Sequence, residues 1–375
     1  MKKTIIYLII LMLFLAASCT QQDSEWKGNI KIQDGVTIVE NPMEPMYSGD
    51  VLELEEDLVI GEKEGPEEYM FSEVRDIDVD SEENIYVLDS KETHIQVFDK
   101  DGAYLRTIGQ KGQGPGEMQS ARSISITPKN EILISDWSGR ALHFFSLEGI
   151  FLKSLNLKGM LWFLKPVADS QNHIVAGYTV MDQTVTGYLK IFNPDLTEKK
   201  TIYSYQIAQY PKVNPFFAQC FWQIDSHDHI IWGYNDIYEI QYLKPDGSLF
   251  MKIIKEYDPV RITEQEKIEY YKSHYGQEEP PEGMELIWDS HHNPFIYLSI
   301  DEEGRVFVRT YEKDPNGLYY YDVFNSQGKY MAKIPLEHRP RVWKKDKLYV
   351  VSEDQQGFHQ VRRYSVSWNL NESIL

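Results

Sequence analysis

The chain has little cysteine, no basic run and none of the familiar catalytic signatures, and each shortage removes a class of protein. Two cysteines, Cys19 and Cys220, cannot build the disulfide framework of a small secreted domain. The 38 lysines and arginines are outnumbered by 58 aspartates and glutamates, for a formal charge of −20 at pH 7. Such a chain repels nucleic acid and anionic membranes, and no basic stretch offsets the repulsion. No Gly-x-Ser-x-Gly elbow and no His-Glu-x-x-His pair occurs. Acidic residues are too many for sequence alone to single out a glycosidase pair. Aromatics are not scarce: 25 Tyr, 16 Phe and 8 Trp argue against disorder and for packed sheets.

Long apolar runs are limited to one. Lys2 and Lys3 precede the stretch from Ile5 to Ala16, which runs into small residues and Cys19. That is the pattern of an export signal, and the run is short for a membrane span. Ala16-Ala17-Ser18-Cys19 resembles a bacterial lipobox, in which the cysteine is acylated after cleavage. Ala16 stands where leucine is usual, with Leu15 one place earlier, so ordinary cleavage after Ser18 is the alternative. The expected organisation is a signal peptide over 1–18, a polar tether over 19–29 beginning at the lipidated Cys19, and a folded body over 30–375. Without Lys2 and Lys3 the formal charge becomes −22. Membrane attachment would then come through the lipid alone. Cys220 is left without a disulfide partner and is expected to be a small buried residue at the start of an inner strand.

Beyond the tether the chain repeats. Arg75 and Arg122, Asp89 and Asp136, and Gly102 and Gly149 are each 47 residues apart. Each copy holds four short runs rich in β-branched and aromatic residues, separated by turn residues, which reads as a four-stranded antiparallel meander. A period of this length implies a propeller blade. Between the two copies lies a loop with Gly112, Gly114, Pro115, Gly116 and Glu117. Its glycines permit positive φ, so it is a tight structural turn between blades. A phosphate cradle is disfavoured, because no Lys-Ser/Thr pair and no helix follows.

Weaker copies continue from Phe163, Phe221, Phe295 and Arg341, giving six units. The fold class is all-β, a six-bladed propeller. Ile60 to Glu68 echoes the glycine loop, so an outer strand precedes the first complete blade and is expected to close the ring by joining the last. Ile30 to Val39, around Asp34-Gly35, reads as an early strand or hairpin. The period breaks over 258–294, where Thr263-x-x-Glu266 is a capping box and Ile268, Tyr271 and Tyr275 recur at helical spacing. A short helix is expected there, ended by Pro280-Pro281-Glu282-Gly283, as a packing insert or as a lid.

Ile85-Tyr86-Val87-Leu88-Asp89, Ile95-Gln96-Val97-Phe98-Asp99 and the Gly-Gln-Gly-Pro-Gly-Glu loop resemble the NHL-repeat family, and more closely the six-bladed propeller lipoproteins of Bacteroidetes-type genomes. The resemblance implies the fold and an outer-membrane lipoprotein, periplasmic or surface-facing. It implies no single activity.

The candidate ligand-binding residues are Arg75, Arg122, Arg341 and Trp137. The arginines begin inner strands at one end of the ring, where converging guanidiniums would receive a carboxylate or sulfate. Trp137 offers a stacking face. The competing structural role is that Glu68 and Glu117, also repeat-equivalent, each pair with an arginine and fix its loop. Asp76-Ile77-Asp78-Val79-Asp80 opens like a calcium loop, but Ser81 and Val87 stand where glycine and the bidentate glutamate belong. Strand alternation instead turns Ile77 and Val79 to the core and Asp76 and Asp78 to the channel. His173 and His229 hold one repeat position, His291 and His292 point apart as chain neighbours, and His94 is expected to meet Asp89. No metal, cofactor or catalytic residue is assigned. The leading expectation is a non-catalytic protein binding a glycan, acidic small molecule or peptide, or an envelope protein partner. The alternative is a lyase or hydrolase at the channel mouth.

Overall fold

The computed structural model describes residues 25–370 except 158–162, 182–183, 209–211, 281 and 284. The signal peptide and Cys19 lie outside the described residues.

Six sheets, each with four antiparallel strands, form the six-bladed propeller. Blade one holds Val74–Val79, Ile85–Asp89, His94–Phe98 and Tyr104–Ile108, innermost strand first. Blade two runs from Ala121 to Asn156, blade three from Phe163 to Ala208, blade four from Cys220 to Lys255, blade five from Tyr297 to Leu336, and blade six from Pro340 to Trp368. Burial follows the sequence pattern. Ile85–Asp89 lies mid-blade with neighbours on both faces and is buried at every position, whereas outer Phe151–Asn156 alternates half-buried and exposed. Large apolar side chains fill the seams between blades, as where Phe145 meets Tyr86 and Ile95.

Two polar devices repeat with the blades. In the turns, an aspartate carboxylate accepts amides two and four residues on, and the residue three on takes positive φ. Asp99 accepts from Asp101 at 2.9 Å and Ala103 at 2.8 Å, with Gly102 at φ 84°. At the end of the second strand, a buried side chain ties down the incoming loop. Asp136 accepts the amides of Gln119 and Ser120 at 2.8 Å and Gly139 at 3.0 Å. Asp89 likewise accepts from Ser72, Glu73, Lys91 and Glu92. Its oxygens are therefore occupied, and Asp89 and His94 meet across the strand turn as backbone partners in the ladder rather than through their side chains. The histidine contact occurs in blade two, between Asp136 and His143 at 3.4 Å.

Leu52–Ile60 closes the ring as the outermost strand of blade six, antiparallel to His359–Trp368. The hairpin Asn29–Gln33 and Val36–Asn41 turns on Asp34 and Gly35, both at positive φ. Val36–Asn41 pairs parallel with Leu249–Lys255, so blade four carries six strands rather than four.

The glycine loop is a structural turn. Glu117 accepts the amides of Gln113 and Gly114 and the side chain of Gln110 at 2.7–2.9 Å. It fixes its own loop, not an arginine. Gly116 has φ 80°, which favours glycine, and a Cβ there would sit 3.1 Å from Phe151, a tight approach.

The insert contains the helix Glu264–Tyr275, with the Thr263–Glu266 capping box formed. It ends at Gly276 in the left-handed region, four residues before the prolines expected to stop it. Its aromatics pack on the periphery, where Phe216 meets Tyr270 and Trp288. No described insert residue lines the central cavity, which favours packing over a lid.

Candidate functional site

The six inner strands surround a cavity of about 690 Å³. All four candidate ligand-binding residues, Arg75, Arg122, Arg341 and Trp137, line it. Two further cations, Lys165 and Arg339, line it as well. Five cations thus face two carboxylates, Asp76 and Asp78, in a chain whose overall charge is −20.

The backbone explains the convergence. In blade one the ladder pairs Val74 with Asp89 and Asp76 with Leu88, leaving Arg75 as an extra residue. Arg122 is skipped in the same way between Ala121 and Ser123, and Arg341 between Pro340 and Val342. Blade three slips between Leu164 and Val167, around Lys165 and Pro166. A bulge bends the strand and re-aims the unpaired side chain. The inner strands of blades four and five run in unbroken register and carry no lysine or arginine. Every bulged inner strand therefore presents a cation to the cavity, and neither unbulged one does. Lys165 is also a non-glycine residue at φ 41°, backbone strain of the kind that collects at functional sites.

Few of these cations are neutralised. Arg75 is exposed and makes no hydrogen bond or ion pair among the described residues. Arg122 takes Ser120 Oγ at 3.2 Å and lies 5.6 Å from the Trp137 ring. The Trp137 indole is oriented by donating to Phe163 O at 3.0 Å. Lys165 and Arg339 approach the Tyr297 ring at 5.6 and 4.9 Å, and Tyr297 is held by its hydroxyl donating to Pro340 O at 2.7 Å. Arg341 reaches Asp76 at 3.7 Å, the one ion pair of the set among the described residues. Confinement, then the neighbouring Arg341, lowers the Arg339 guanidinium pKa below its ordinary value. The repulsion between Arg339 and Arg341, only partly offset by Asp76, favours an anion between them.

Asp76 and Asp78 turn from the core as strand alternation implied, and both stitch blade one to blade two. Asp76 accepts Ile124 N at 3.3 Å and Asp78 accepts Ile126 N at 2.6 Å. Burial raises the Asp78 carboxyl to about 6, against the pull of the Ile126 and Val79 amides and with the help of the Asp76 charge. Cys220 begins its inner strand, buried, with its thiol pushed well above the ordinary range by burial. It stays protonated at neutral pH and is no nucleophile.

Sequence reasoning missed Lys165 and Arg339. Neither occupies a repeat-equivalent position. The available signal was the Lys165-Pro166 step within a strand, which marks a bulge.

No curated protein sequence matches the chain. Among solved structures, a Bacteroides fragilis protein described as exported superposes with a TM-score of 0.57 at 13% identity, covering 89% of this chain and 100% of that one. A DUF4221 family member from Bacteroides vulgatus gives 0.51 at 10%, covering 85% and 99%. At these identities the likeness shows the shared propeller fold. The sequence also matches a domain of unknown function over residues 64–358, most of the blade-forming chain. The protein belongs to that family, DUF4934.

Proposed function

We propose that this propeller is an envelope binding protein whose channel mouth receives an anionic ligand, with an acidic glycan as the best fit. The observation that carries the reading is the coincidence of bulge and cation on four of the six inner strands. The cationic arc on blades six, one, two and three faces Phe221, Gln223 and Tyr297 on blades four and five. A ligand with a carboxylate or sulfate at one end and a sugar face at the other matches both arcs. Among the described lining residues there is no histidine, which supports binding over a lyase or hydrolase.

The test uses the full chain in detergent and sulfated or uronate-containing oligosaccharides beside their neutral counterparts. At a hundredfold excess over Kd, a ligand that binds only the native state stabilises it by about 2.7 kcal/mol. Acidic oligosaccharides should raise the melting temperature, and the double variant R122A/R339A should lose at least tenfold in affinity. Equal binding of neutral sugars, or full affinity in the double variant, would overturn the reading.

The cellular place we propose is the outer membrane, through a lipid on Cys19, as in the NHL-like propeller lipoproteins. The leader sequence supports this, as does the exported description of the Bacteroides fragilis relative. Cys19→Ala should release the protein from the membrane fraction; retention would count against the anchor.

A further inference from the structure

The end of the ring opposite the arginines carries a second cluster. The turn after the inner strand Cys220–Ile224 reads Asp225-Ser226-His227-Asp228-His229. Asp225, His227 and His229 each offer a ligand atom within 4.8 Å of the others, the one such group of three among the described residues. We propose that this turn is a binding site for a divalent transition metal of the imidazole-preferring kind, with Zn2+ as the leading candidate. Two imidazoles and one carboxylate are a common zinc donor set, leaving a fourth position for water or an incoming ligand.

The turn is held in place before any metal arrives. Asp225 Oδ1 accepts the amides of His227 and His229, both at 2.8 Å, and Oδ2 receives His229 Nδ1 at 2.9 Å. His229 rests against Phe250 with ring centroids 4.7 Å apart. The His227 and His229 rings lie near-parallel, 20° apart in plane and 5.8 Å between centroids. Asp228, at φ 62°, accepts the amide and hydroxyl of Ser170 and so pins the turn to blade three. Ligands fixed by such outer contacts lose little freedom on binding.

The protein supplies its own control. Blade three builds the same turn, Asp169-Ser170-Gln171-Asn172-His173, with the same carboxylate–imidazole contact at 2.8 Å. Glutamine there replaces the middle histidine, and Lys199 Nζ lies 3.1 Å from His173 Nε2, where a metal would meet a like charge. In blade four the side chain beside the histidine is Phe250 instead. Repeat position accounts for His229, but it does not account for His227.

The experiment is titration of the untagged, chelator-treated full chain in detergent with ZnCl2 by calorimetry, and with Cu2+ by electron paramagnetic resonance. One equivalent of Zn2+ should bind, and the Cu2+ spectrum should show two nitrogen ligands. H227Q, which copies the blade-three turn, should weaken Zn2+ binding at least tenfold with an unchanged melting temperature, because His227 is exposed. H173Q should leave binding as it was. No binding at millimolar Zn2+, binding unaffected by H227Q, or equal loss in H173Q would each overturn the proposal.

Discussion

Asp78 is a carboxylate whose surroundings oppose its charge. Its folded pKa lies near 6 and its unfolded value near the ordinary 3.8. The folded state therefore holds the proton more tightly, so this group's contribution to stability is fully present at low pH and is lost as pH rises through about 6. Asp78→Asn keeps an acceptor for the Ile126 amide and removes the charge. The variant should gain roughly 2 kcal/mol on wild type at pH 7.5 and almost nothing at pH 4, read from urea midpoints at both values. A constant difference across that range would show that the carboxylate's titration is not the cause. Lys165 poses the converse trade. Lys165→Gly relieves the positive φ and should stabilise by about 1 kcal/mol, while acidic oligosaccharide affinity falls about tenfold. A variant that binds as well as wild type would remove Lys165 from the site. Arg75, Arg122, Arg341 and Trp137 were legible in sequence because a repeat assigns them to one end of the ring. Lys165 and Arg339 were not, because blade three carries lysine rather than arginine in a bulge that spans two residues, and Arg339 precedes its inner strand.

At the scale of elements, the loops between blades depend on single buried side chains. Asp136→Ala would leave the amides of Gln119, Ser120 and Gly139 without their acceptor, at a cost of about 3 kcal/mol. Asp136→Asn retains one oxygen and should cost about half as much. Paired thermal melts check this, and equal losses would mean that the oxygen which asparagine retains contributes nothing. Between blades four and five, Lys255 lies 3.5 Å from Asp322, which also accepts from Tyr238 and Tyr330 at 2.5 and 2.6 Å. Lys255→Met fills the volume but leaves a buried carboxylate facing two hydroxyls, and it should destabilise by about 3 kcal/mol in chemical unfolding. The strands themselves were legible from alternation, and the helix from its capping box. The helix stop was not: a glycine with no special neighbours ended it before the prolines. Nor did local pattern reveal that Val36–Asn41 would pair parallel with Leu249–Lys255, since that register depends on a partner more than two hundred residues away.

At the scale of the molecule, charge is sorted by place. An acidic body surrounds a mouth with more cations than carboxylates. Ring closure concentrates that mouth, because six inner strands are brought to one axis. Removing residues 52–60 would strip the outer strand from blade six and expose His359–Trp368 along its length. The truncated chain should form oligomers by edge pairing on size-exclusion chromatography. A monodisperse monomer would show that the seam is not needed to keep the ring apart from its copies.

That seam also sets an order of events. Gln360 and Gly61, which meet across it, are 299 residues apart. At a synthesis rate of about 5–20 residues per second, the first strand of the ring is complete for roughly 15–60 seconds before its partner exists. The earliest-made outer strand of the closing blade is thus paired only when the chain's last strand arrives. Its sequence, Leu52-Glu53-Leu54-Glu55-Glu56-Asp57, suits that wait, since four of these six residues are acidic and repel premature partners.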